Sequence, residues 1–166
     1  MTILKFKFIF FLILSINIGG TTKAQTTVEN IKDRWTFVVD GTPFSVKGVT
    51  FGYDDEVENY DKYFQELNYL GVNTIRTWGT VAHTKEMLDI AHSHGIKVML
   101  GIWMRHGQAG MEADDSFDYT NDEAGKQIMY NDAIEVVKTY KDHPAILTWG
   151  VGNEVYINTA TDEEKM

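Results

Sequence analysis

The chain has 166 residues, 15 Lys+Arg against 24 Asp+Glu, a formal charge of −9 and no cysteine. Without cysteine there is no disulfide scaffold, no thiolate zinc site and no catalytic thiol. The acidic balance argues against nucleic acid, whose phosphates need clustered Lys and Arg. The 43% hydrophobic content argues against a disordered acidic tail.

Residues 1–24 read as a secretory signal peptide. Lys5 and Lys7 precede an almost wholly apolar run, Phe8 to Ile16, and Thr22-Lys23-Ala24 offers small residues where a signal peptidase reads. The run is too short to span a bilayer comfortably. The expectation is a secreted, periplasmic or cell-surface protein with no membrane contact after cleavage. The segment carries Lys5, Lys7 and Lys23 and no acid, so 25–166 holds 12 basic against 24 acidic side chains. That balance disfavours an anionic partner and does not repel a neutral substrate.

Residues 25–44 form a lead-in. Trp35-Thr-Phe-Val-Val39 is β-rich, Asp40-Gly41 is a hairpin-turn dipeptide, and Phe44 to Phe51 is β-rich again. A hairpin whose second arm enters the core is expected. Tyr63, Phe64, Leu67 and Leu70 then fall on one face of a helix that Gly71 stops. Val72 to Trp78 is a strand. Thr84 caps a second helix with Met87, Leu88, Ile90 and Ala91 as its apolar side and Gly95 as its end. Ile96 to Trp103 is a strand. Met104 to Asn121 has no period and reads as a long loop of the kind that carries function. Its acids, with Asp114, Asp115 and Asp118 near Asp122, read as a solvated acidic loop rather than a calcium loop. A third helix over about 122–142 has a stripe of Ile128, Ala133, Ile134, Val137 and Tyr140, and Pro144 bars its continuation. Ala145 to Gly152 is a fourth strand, ending in Asn153-Glu154.

Gly71-Val-Asn-Thr-Ile75 and Gly95-Ile-Lys-Val-Met99 form a weak repeat in which a helix-ending glycine leads into an apolar strand. Strands alternating with helices mean βαβ units and a parallel sheet. The order fits a doubly wound sheet or a (β/α)8 barrel. No Gly-rich phosphate loop follows the first core strand, which weighs against nucleotide-binding versions of the former.

Barrel chemistry sits at the C-terminal ends of strands. Those ends carry Arg76 and Trp78, Trp103 and His106, and Asn153 and Glu154. Aromatic faces there suit the C–H faces of sugar rings, or else pack the rim; Trp149, mid-strand, belongs to the core. Glu154 at the mouth of an apolar barrel should be partly desolvated, which raises a carboxyl pKa and suits a general acid. Arg76, at the end of an apolar strand, calls for a carboxylate partner. His92 and His94, two apart on a helix, face different ways and make a poor metal pair.

Four segments in order, Phe44-Ser-Val-Lys-Gly-Val-Thr-Phe51, Leu70-Gly-Val-Asn-Thr-Ile-Arg-Thr-Trp78, Ala91 to Ile102 and His143-Pro-Ala-Ile-Leu-Thr-Trp-Gly-Val-Gly-Asn-Glu-Val155, resemble clan A glycoside hydrolases, above all the barrel domain of family-two β-glycosidases. The last segment is also similar to fungal β-1,3-glucanosyltransferases. The resemblance implies a (β/α)8 TIM barrel, truncated after about the fourth strand, with 45–166 as its N-terminal half. It implies a retaining mechanism with Glu154 as general acid, then base. Asn153 would bond the sugar 2-hydroxyl, Arg76 would match the clan's arginine, and Trp78, Trp103 and His106 would line the substrate. It calls for no metal and no cofactor, and the partner is a carbohydrate. The clan's second Glu, on a seventh strand, has no match, so the expectation is an exported β-glycosidase fragment inactive by itself. The alternatives are a transglycosidase and a carbohydrate-binding half-barrel that assembles with itself or a partner. A metal-dependent barrel hydrolase would want His-x-His on the first core strand, which Ser45 to Val49 lacks.

Overall fold

The computed structural model describes residues 26–107 and 116–155. The signal-peptide expectation over 1–24 lies outside them. Ten elements follow in order: β1 (Thr26–Ile31), β2 (Arg34–Val39), β3 (Thr42–Phe44), β4 (Gly48–Thr50), α1 (Asn59–Tyr69), β5 (Thr74–Arg76), α2 (Thr84–Ser93), β6 (Lys97–Ile102), α3 (Glu123–Tyr140) and β7 (Ile146–Val151).

The first three strands make an antiparallel sheet, β1-β2-β3. The Asp40-Gly41 turn is where the sequence places it, with both residues at positive φ, the backbone a two-residue hairpin needs. The second arm does not run on into the core as one strand. It breaks at 45–47, so Thr42–Phe44 closes the hairpin while Gly48–Thr50 opens a second, separate sheet. The Asn73 side chain stitches that break: it accepts from Lys47 N–H at 2.8 Å and donates to the Ser45 carbonyl at 2.9 Å.

The second sheet is parallel and in sequence order, β4-β5-β6-β7, with one helix between each pair of neighbours. A doubly wound sheet reverses its strand order at a switch point. Steady progression around one direction is the barrel pattern. Side chains alternate across a strand. Ile75, Val98, Leu100, Ile146 and Trp149 face the helices and meet Phe64, Met87, Leu88 and Ala91 there, as part of one buried cluster. Ile75 pairs in register with Val98, and Leu100 with Trp149. The other face carries Thr74, Arg76, Lys97, Met99 and Thr148, a largely polar surface.

Helix α1 buries Tyr60 and Phe64, while Leu70, expected on its apolar face, is the C-cap and 73% exposed. Gly71 and Gly95 both sit at positive φ just past their helices, where other residues are strained. Thr84 is not the N-cap of α2; His83 is, and Thr84 instead turns its hydroxyl to the Val81 backbone. Helix α3 starts on a true cap, Asp122 accepting from Gly125 N–H at 2.8 Å. Its expected stripe is half-buried at Ala133, Ile134, Val137 and Tyr140 and fails at Ile128. None of its residues is buried and Ile128 is 60% exposed, though Tyr140 reaches the core. The outer strands of the sheet are β4, exposed throughout, and β7, with Val151 exposed. No helix among the described residues is long and apolar enough to cross a membrane.

Candidate active site

The C-terminal ends of β5, β6 and β7 meet at an open cleft of about 430 Å³, lined by Arg76, Trp78, Trp103, Asn153 and Glu154. Five of the six residues singled out from the sequence are thus brought together. Among the described residues Arg76 has no ion pair with a carboxylate, the partner expected for it. Its guanidinium donates to the Asn153 amide oxygen at 2.9 Å, across residues 77 apart in sequence. A charged donor on a neutral amide is a strong, directional hydrogen bond. Because it uses the amide oxygen, the bond leaves the Asn153 N–H₂ free to turn toward a ligand.

The turn that carries Asn153 and Glu154 is fixed by its backbone. Gly152 sits at φ +72° and its N–H donates to the Ile102 carbonyl of β6 at 2.9 Å. A side chain there would also strike Val155. Gly107 N–H closes the other side on the Val155 carbonyl at 3.0 Å. Gly150, two residues earlier, has the Met99 side chain near it at ordinary contact distance. Glu154 itself adopts φ +52°, uncommon for a residue with a Cβ. Such strain collects at functional sites. The carboxyl expected to be partly withdrawn from water is exposed.

Trp78 and Trp103 are both partly exposed, at 39% and 37%, on the same cleft. Trp149 packs against the core, as its mid-strand position implies. His106 does not line the cleft. It is 2% exposed, its ring edge-on to Trp103 at 5.2 Å, and its Nδ1 has no hydrogen-bond partner. Its backbone forms an isolated parallel β-bridge with Ser116.

Sequence reasoning missed the groups that hold the mouth together. Tyr53, after β4, donates to the Gly79 carbonyl at 3.0 Å. Asp54 accepts from Glu56 N–H at 2.9 Å, the Tyr63 hydroxyl at 2.7 Å and the Asn59 amide at 3.1 Å. Those bonds, the Glu56 N–H foremost, hold its carboxyl below the usual carboxylate range. The aspartates of the long loop fall on both sides of the described boundary. Asp118 accepts from Thr120 and Asn121 N–H, a turn-forming role, while Asp114 and Asp115 lie outside the described residues. No cluster of metal-ligating side chains occurs among the described residues.

A parallel sheet in barrel order, with aromatic, amide and carboxyl groups at its strand ends, is a partial (β/α) barrel domain with a candidate site at the expected end. The chain belongs to glycosyl hydrolases family 2, by its TIM barrel domain: the family model matches residues 31–166. Mouse β-glucuronidase is 27% identical over 150 residues, covering 78% of this chain and 22% of its own length. The Pongo abelii β-glucuronidase is 29% identical over 147 residues, covering 84% of this chain and 20% of its own. The chain therefore spans about a fifth of the length of these relatives. Among solved structures, the fold is similar to an exo-chitosanase of Amycolatopsis orientalis, with TM-score 0.57, 17% identity, and 77% of this chain matched to 15% of that one. It is also similar to the endo-1,4-β-mannanase of Rhizomucor miehei, with TM-score 0.54, 18% identity, and coverage of 83% and 52%. These likenesses bear on the fold.

Proposed function

We propose that this chain carries the acid/base half of an exported retaining β-glycosidase site. The observation that carries the reading is the shared cleft of Arg76, Trp78, Trp103, Asn153 and Glu154, with Arg76 bonded to Asn153. A pyranose ring lies against an indole face, and the Asn153 amide, held by Arg76, reaches its 2-hydroxyl. Glu154 gives its carboxyl proton to the glycosidic oxygen as the C–O bond breaks and a second carboxylate bonds the anomeric carbon. It then takes a proton from the water that releases the sugar. Retaining chemistry needs a second carboxylate about 5–5.5 Å from the first. Glu154 is the one carboxylate lining this cleft among the described residues. The nucleophile on this proposal is supplied from outside them, and residues 1–24 direct export.

The single-carboxylate cleft favours one further reading, a carbohydrate-binding half-barrel without turnover. Aryl β-glycosides and methyl β-glycosides separate the two. A glycosidase site predicts saturable sugar binding that Arg76→Ala weakens. It also predicts that any turnover by a preparation containing this chain is lost in Glu154→Gln. Binding without turnover, in a preparation holding a whole barrel, leaves the binding module. Turnover that survives Glu154→Gln overturns the assignment of Glu154.

A further inference from the structure

Trp78 is on a turn, and hydrogen-bonding groups from two other parts of the fold, β6 and the loop after β4, converge on that turn. Gly101 N–H of β6 donates to the Thr77 hydroxyl at 3.0 Å. The Thr77 hydroxyl in turn lies 3.2 Å from the Gly79 carbonyl, to which it donates. The same carbonyl accepts the Tyr53 hydroxyl at 3.0 Å, from the loop after β4. The backbone of Trp78 also passes so close to Gly101 that a Cβ there would lie 2.2 Å from the Trp78 carbonyl carbon. Thr77 is fully buried. Thr84 Oγ1 stands 3.3 Å from the Tyr53 hydroxyl on its other side. The turn is thus fixed from below by β6 and from the side by one tyrosine hydroxyl.

We infer that Tyr53 is a positioning residue for Trp78: its hydroxyl, bonded to the Gly79 carbonyl, holds the Trp78 indole where a neutral pyranose ring stacks. The stacking part rests on the function proposed above; the positioning part does not. Tyr53 does not line the cleft and touches no substrate. Burial raises its pKa above the ordinary tyrosine value, so the hydroxyl keeps its proton and remains a donor. The other two tyrosine hydroxyls of this region serve different ends. Tyr60 meets the Asp54 backbone and His83, and Tyr63 meets the Asp54 carboxylate.

The test reads Trp78 directly. Its contribution to the near-ultraviolet circular dichroism is the difference between the chain and its Trp78→Phe variant, taken again in a Tyr53→Phe background. Tyr63→Phe, which removes a hydroxyl from the same neighbourhood that does not reach Gly79, is the control. The expected result is loss of most of the Trp78 signal in Tyr53→Phe and retention in Tyr63→Phe, with far-ultraviolet spectra unchanged. Affinity for the methyl β-glycoside that the chain binds best, among the glucoside, mannoside, glucuronide and glucosaminide, should then fall about fivefold in Tyr53→Phe, the worth of roughly one neutral hydrogen bond. If Tyr53→Phe does not fold, Tyr53→p-fluorophenylalanine fills the hydroxyl's space without its donor, and Tyr53→p-aminophenylalanine restores a donor; the second should rescue the Trp78 signal and the first should not. A Trp78 signal equal in wild type and Tyr53→Phe overturns the inference. A signal that collapses in a chain with no sugar affinity leaves the positioning role standing and removes the glycosidase reading instead.

Discussion

Gly101 is the position where one added methyl group is expected to do most harm. A Cβ on it would meet the Trp78 carbonyl carbon at 2.2 Å and the Thr77 and Trp78 carbonyl oxygens at 2.5 Å. All three are backbone atoms, so no rotamer change relieves the clash. Strand β6 and the 77–79 turn must separate until these contacts exceed 3.0 Å. That movement stretches the 3.0 Å Gly101 N–H to Thr77 bond. Overpacking of this kind costs about 1–3 kcal/mol, and the hydrogen bond adds about 1 kcal/mol. Gly101→Ala should therefore lower stability by roughly 3 kcal/mol, or Tm by about 10 °C. Two other glycines calibrate the result. Gly52 has nothing within 4 Å of its would-be Cβ, so Gly52→Ala should stay within about 0.5 kcal/mol of wild type. Gly71 also has open space but sits at φ +78°, so Gly71→Ala should cost about 1–2 kcal/mol through backbone conformation alone. Urea unfolding of the three variants gives the order. Gly101→Ala no less stable than Gly52→Ala would refute the close approach of β6 to the Trp78 turn.

Two further outcomes follow from single contacts. Arg76→Gln and Asn153→Ala, with their double variant, should show a coupling energy of roughly 1.5–3 kcal/mol by unfolding, as a bond to a charged donor implies; additive effects would mean that the 2.9 Å contact does not form. The Asp54 carboxyl is held below its ordinary value of 3.8 in the folded chain. Its contribution is present above that value and is lost as pH falls through the lower folded pKa. Asp54→Asn should therefore flatten the loss of stability as pH falls below about 4, and an unchanged acid limb in that variant would contradict the hydrogen bonds drawn to Asp54.

The parallel sheet and its helices are legible because three of its four strands are apolar runs preceded by a glycine or proline stop, at Gly71, Gly95 and Pro144. Strand order was not; a barrel and a doubly wound sheet share that local pattern and differ in which strands meet. The strand β1 was missed because Thr26-Thr-Val-Glu-Asn-Ile31 has few apolar residues and gains its structure from pairing with β2. The hairpin arm was read as one strand since nothing in Phe44 to Phe51 marks a break; the break is made by Asn73, nearly thirty residues away. At the site, residue types at strand ends identified five of the cleft residues. His106 was misplaced because its distance from the end of β6 does not tell which way the chain turns. The amide partner of Arg76 and the reach of Tyr53 to Gly79 join residues from different strand ends, and sequence spacing carries no trace of either.

The most direct test of the account is nuclear magnetic resonance of the ¹⁵N-labelled chain during titration with methyl β-D-glucoside, mannoside, glucuronide and glucosaminide. The prediction is saturable shifts of the Trp78 and Trp103 indole N–H and the Asn153 side-chain amide for at least one of these sugars, with the exposed indole of Trp35, on the separate hairpin, unmoved. A folded chain in which no sugar moves Trp78, Trp103 or Asn153, or in which the shifts fall on Trp35, would contradict it.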